Sequence, residues 1–172
     1  MLHWLFLGKL ILLFSIFISF SSCNNKKTSS LESPAFANLE LNRGELLLCG
    51  DPNFGEVSFS LSCRYDLRET FDLGLTLIHS FEYAEAEKAF VSILDKDSEC
   101  LMAYWGAAMS ILNHPLSFKQ NPKSLKRGEE LLKVAKTLTP NNEKEKDYID
   151  AVSIYFKAVS YTHLRAHETI NH

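Results

Sequence analysis

The side chains able to do chemistry in this 172-residue chain are few: 4 Cys and 6 His, with 21 Asp and Glu set among 18 Lys and Arg. Cys63, Cys100, His79 and His114 are the right ligand types for zinc. No pair of them has the Cys-x₂₋₄-Cys or His-x₃₋₅-His spacing that brings two ligands to one ion, so no metal is expected. His163 and His167 stand four apart with His172 beyond, but no apolar face accompanies them to hold a helix. His79 closes a helical segment, where positive charge suits the macrodipole, and His114 sits beside Pro115 in a turn; both read as structural. Glu82, Glu85, Glu87 and Lys88 read as a solvated helical face. With no Gly-rich phosphate loop, Gly-x-Ser-x-Gly elbow or His-Glu-x-x-His, no catalytic residue, cofactor or enzymatic activity is expected.

Cys23 points to a different chemistry. Residues 1–22 carry one charge, Lys9, ahead of an apolar run from Leu10 to Phe20. As a helix that run would be about 16 Å long, against the roughly 30 Å of a bilayer core, so it fits a signal-peptide hydrophobic region better than a span. Phe20-Ser21-Ser22-Cys23 resembles a bacterial lipobox, in which the Cys thiol receives a diacylglycerol and becomes the first residue after cleavage. Phe20 stands where Leu is usual. The polar, Ser-rich residues 23–38 then read as a flexible tether between an outer-membrane or other bacterial membrane surface and a folded body.

Residues beyond 38 must build that body. Residues 39–66 form a lead-in: Leu39, Leu41 and Leu46 to Leu48 precede the turn residues Gly50-Asp51-Pro52, and Val57, Phe59 and Leu61 alternate with serines as a short strand or extended segment would. From Leu67 the period becomes helical, through Phe71, Leu75 and Ile78, then again through Tyr83, Ala86, Ala89, Phe90, Ile93 and Leu94. Small residues, Gly74 and Ala86, let the two backbones approach, with Phe90 filling the gap beyond. The offsets from Ala86 to Phe90, Ile93 and Ser98 are 4, 7 and 12, and those from Gly128 to Leu132, Ala135 and Pro140 are the same. Between Tyr104 and Gly128 the second copy carries an insertion around Asn113 to Pro122, and after Pro140 a further helical period runs through Tyr148, Ala151, Val152 and Tyr155.

Leu73-Gly74, Ala86, Phe90 and Ile93, with a second copy opening at Ala103-Tyr104-Trp105-Gly106-Ala107-Ala108, resemble the 34-residue tetratricopeptide repeat. The chain from about 49 to 157 is similar to bacterial, Bacteroidetes-type repeat lipoproteins. The resemblance implies an all-α fold of antiparallel helix-turn-helix units, 67–100, 101–142 and a partial 143–159, stacked as an α-solenoid. It also implies an array that continues, so the chain reads as an amino-terminal portion. Residues 160–172, with Val-Ser-Tyr-Thr-His-Leu-Arg-Ala-His-Glu-Thr running into them, resemble translated sequencing-adaptor read-through and are expected to be a non-native tail without helix.

Repeat arrays bind partners on the concave face of their first helices. In this register that face comprises Arg68, Phe71, Leu75 and Ile78, then Met102, Trp105, Met109 and Leu112. Its apolar character fits an amphipathic helix or an extended peptide, so a protein or peptide partner is expected. The same side chains are equally natural as core contacts covered by neighbouring repeats. An alternative is glycan capture on Trp105 and Tyr104, and another is a positioning module for a catalytic part outside this chain. The formal charge of −3 excludes a basic field for nucleic acid. Export favours a disulfide among Cys49, Cys63 and Cys100. Helices about 10 Å apart are nevertheless too far for Cα atoms that must lie roughly 4.4–6.8 Å apart, and the pairing stays open.

Overall fold

The structure, a computed structural model, describes residues 34–48, 55–57, 59–112 and 121–170, with side chains followed as far as residue 162. All of these belong to one compact unit, Pro34–His172. The proposed signal segment, Cys23, most of the tether, Cys49, His114 and the side chains of His163, His167 and His172 lie outside the described residues.

The described residues are helical or irregular. A 3-10 turn, Tyr65–Leu67, leads into α1 (Arg68–His79), followed by α2 (Tyr83–Leu94), α3 (Leu101–Ile111), α4 (Pro122–Ala135) and α5 (Glu143–Ile170). Local chemistry sets most of the ends. Asn121 accepts the Lys123 amide hydrogen and Pro122 opens α4, where its missing N–H costs no hydrogen bond. Asn142 does the same for α5 by accepting from the Glu145 amide at 2.9 Å. The helix α1 stops in a Schellman turn, with the Glu82 amide on the Leu77 carbonyl and the Phe81 amide on that of Ile78. The residue that turns left-handed there is Phe81, at φ 65°, where glycine is the usual choice.

Each helix packs on the one before it, and α3 also meets α1 and α5. The helix α3 is central: nine of its eleven residues are buried, so it has almost no polar face. Close approach depends on three glycines. The Phe90 ring of α2 is wedged between Gly74 of α1 and Gly106 of α3, and the Phe156 ring of α5 lies on Gly128 of α4. The expectation that Gly74 admits a close neighbour filled out by Phe90 therefore holds. Ala86, Phe90 and Ile93 are all buried, as are Gly128, Leu132 and Ala135 at the matching offsets.

The described parts of 55–62 take the extended form that the alternation allowed, with no strand among the described residues, and helix side chains accept from the main chain there, as Glu145 does from Ser62. One local expectation is corrected. The helix expected to end near residue 159 continues to Ile170. Residues 158–170 contain neither Gly nor Pro, so a helix already nucleated at 143 meets nothing that stops it.

Candidate functional site

The lead-in decides which surfaces remain open. Residues 36–48 run along α2 and α4, and their polar main chain is taken up by buried carboxylates. Glu87 accepts from the Asn42 amide at 3.0 Å and from the Asn42 side chain at 2.7 Å, and is paired with Arg127 of α4 at 3.1 Å. Arg127 also donates to the Glu40 carbonyl. Glu85 accepts the Leu47 amide at 2.8 Å and holds Lys88, which in turn donates to the Glu45 carbonyl. Phe36 meets Tyr104 edge to face, and Arg43 reaches Asp95.

The solvated face expected for Glu85 and Glu87 is corrected by this packing; Glu87 is only 2% exposed. The missed signal lies in α2 itself, where Glu87, Val91 and Leu94 stand at i, i+4 and i+7, a second apolar face beside the one through Ala86 and Phe90. Burial pushes the Glu87 carboxyl above its ordinary value despite Asn42 and Arg127. Burial acts in the same sense on Glu85, but the Lys88 and Leu47 donors together outweigh it and hold that carboxyl below its ordinary value.

A second clasp seats residues 57–62 across α1, α3 and α5. The Phe59 ring meets Phe71 of α1 and Tyr148 of α5 at 5.7 and 5.6 Å, Tyr148 meets Trp105 of α3 at 5.5 Å, and the Lys144 ammonium lies 5.2 Å above Phe59. Glu145, 2% exposed, accepts from the Ser62 amide and hydroxyl. Asp72 of α1 accepts the Phe59 amide; burial raises its carboxyl against that bond and the Arg68 charge. Val57, Phe59 and Leu61 face the helices, while Ser60 and Ser62 are exposed. The segment is thus extended in conformation, and its alternation was legible, although its occupancy of this face was not.

Half of the residues on the expected concave face lie in the core. Met102 is fully buried at the centre of α3, and Leu75, Phe71 and Leu112 are buried in the same core, so none of the four is presented to a partner. Arg68, Ile78, Trp105 and Met109 keep partial exposure, with Trp105 engaged by Tyr148. Tyr104, named for glycan stacking, is also buried: its hydroxyl donates to the Ser98 carbonyl at 2.9 Å, and burial with the nearby Asp97 charge pushes it up to about 12.

The open disulfide question closes on Cys63–Cys100, with Cα atoms 5.0 Å apart. The spacing of helix axes does not apply, because Cys63 precedes the 3-10 turn and Cys100 is the residue before α3; both lie outside the helices. The bridge fixes the end of the second clasp to the start of the central helix. His79 is exposed in the last turn of α1, as expected. Among the described residues no group of three or more His, Cys, Asp and Glu is placed to hold a metal ion, and no helix is long and apolar enough to cross a membrane.

Among the described residues an apolar depression is open to solvent. A groove of about 190 Å³ lies between α4 and α5, with Leu132, Ser153 and Phe156 among its lining residues and Lys133, Lys136, Lys157 and Glu129 along it. Lys136 pairs with Asp150, and Glu129 accepts from the Ser160 hydroxyl. No family model matches the chain, and no curated protein or solved structure matches it.

Proposed function

We propose that this protein is a noncatalytic, lipid-anchored helical-repeat scaffold that binds a protein or peptide partner. The observation that carries the reading is the shared register of two helical hairpins. Positions 0, 4 and 7 of α2, at Ala86, Phe90 and Ile93, and of α4, at Gly128, Leu132 and Ala135, are all buried. Two units that bury the same positions and share a central helix are what a stacked tetratricopeptide-like array requires, since each unit completes its core only against its neighbour. A body with that construction serves by presenting surfaces. With Phe59 seated across α1 and α5, the groove between α4 and α5 is an apolar surface open to a partner among the described residues. Cys23 supplies the attachment to an exported bacterial membrane face: with several acyl chains at about 0.8 kcal/mol per buried CH₂, such an anchor is effectively stable.

Panning a displayed random-peptide library against the immobilised full chain tests the reading. Enriched peptides that share a pattern and compete with one another are expected, and a failure to enrich any would overturn it. The anchor is tested separately, by incorporation of labelled palmitate that Cys23→Ala abolishes.

A further inference from the structure

We infer that the groove between α4 and α5 seats an amphipathic helix carrying acidic residues beside its apolar face. The inference rests on the scaffold reading and names the partner class for one surface of it. Three observations converge on that occupant.

The first is main-chain accounting. A buried peptide N–H or C=O must find a partner, and the helices that wall this groove use their own main-chain groups internally. The contrast within the molecule is direct. Where this protein holds extended chain, it supplies carboxylates for the amides: Glu85 for Leu47, Glu87 for Asn42, Glu145 for Ser62 and Asp72 for Phe59. The groove between α4 and α5 offers a single carboxylate, Glu129, one oxygen of which already accepts from the Ser160 hydroxyl. An occupant that satisfies its own main chain, as a helix does, asks least of such walls.

The second is shape. The depression lies between two packed helices and is partly open to solvent, a place where the side-chain ridge of a third helix can pack. Ile154, 67% exposed, adds an apolar side chain on α5 one residue beyond Ser153 and three before Lys157, both of which line the groove.

The third is charge. Lys133 on α4 and Lys157 on α5 flank the floor, are exposed, and have no ion-pair partner among the described residues. Lys136 is neutralised by Asp150. Two free cations on either side of an apolar floor match carboxylates that flank an apolar stripe.

The test uses the full chain and two stapled helical peptides. Both carry Leu at i, i+3 and i+7; one has Glu at the flanking positions and the other Lys. The Glu peptide is expected to bind about tenfold tighter than the Lys peptide, and the exposed double variant K133E/K157E to reverse that order. Far-UV circular dichroism of the variant checks that the fold is kept, and Ile154→Asp, also at an exposed position, should weaken both peptides. Equal binding of the two peptides, no binding of either, or equally tight binding of a proline-interrupted Glu peptide would overturn the inference. So would displacement of the Glu peptide by dodecanoate, which would make the groove an acyl-chain site, or self-association of the chain that K133E/K157E removes, which would make the occupant a second copy. A library peptide that binds K133E/K157E unchanged would refute this placement while leaving the scaffold reading standing.

Discussion

Breaking the Cys63–Cys100 bridge should remove a large part of this protein's stability. The bridge closes 37 residues of sequence, a loop that includes the 3-10 turn, α1 and α2. Constraining a loop of that length in the unfolded chain corresponds to about 13 cal/mol/K of lost entropy, or about 4 kcal/mol at 25 °C. Folded proteins of this size are commonly stable by only about 5–15 kcal/mol, so the effect is easily measured. Cys63 is partly exposed, so a soluble reductant can reach it. Guanidinium unfolding of the wild type with and without reductant, and of Cys63→Ser/Cys100→Ser, should show a loss of about 3–4 kcal/mol. Hydrogen exchange adds a second readout, since the amides of Phe59 and Ser62 should lose protection before those of α3. A loss below about 1 kcal/mol would refute the reasoning. It would mean that the unfolded chain keeps residual structure that already restricts this loop, or that the two cysteines are not joined.

Gly106→Ala should destabilise by about 2–3 kcal/mol, because a Cβ there would lie 2.4 Å from the Phe90 ring, and Gly74 blocks the ring from retreating the other way. Gly128→Ala makes a shorter contact, 2.2 Å to Phe156, but that ring borders the open groove and can swing into it. A loss near about 1 kcal/mol and weaker binding of the helical Glu peptide are expected, and equal losses for the two variants would contradict this account of the groove. Phe81→Gly should stabilise by about 0.5–1 kcal/mol by removing a side chain from a left-handed position, read as a higher denaturation midpoint. Glu87 gives a pH signature. Its carboxyl is raised on folding, so the stability it contributes is present below its ordinary value of 4.5 and lost as pH rises through the folded value above it. Relative to the wild type, Glu87→Gln should therefore lack a fall in stability with rising pH in the window above 4.5. Parallel stability profiles for the two proteins would count against the assignment.

The helices were legible because their signals are local. Phe71, Ala86, Phe90 and Ile93 mark helical faces by spacing alone. Asn121 and Pro122, read as the end of an insertion, are instead the cap and first residue of α4. The wrong end of α5 has a local cause too: an absent apolar face does not mean an absent helix, because continuation needs only a nucleated helix and no breaker. The site was less legible. Arg68, Ile78, Trp105 and Met109 keep partial exposure, whereas Leu75 and Met102 are core; spacing allowed both readings, because an apolar residue facing a partner and one facing a neighbouring helix recur with the same period.

By itself the sequence determined helical units in a common register, an alternating segment at 57–61, and the glycines that let helices approach, since each follows from the chemistry of residues within a few turns of one another. Only the tertiary structure decided that Phe59 meets Tyr148, that Cys63 meets Cys100, and that Glu85, Glu87 and Glu145 are buried acceptors. Those contacts join residues 37 to 89 positions apart, and no local period records which distant segment will cover a given face. The same long-range packing left the seam of α4 and α5 uncovered.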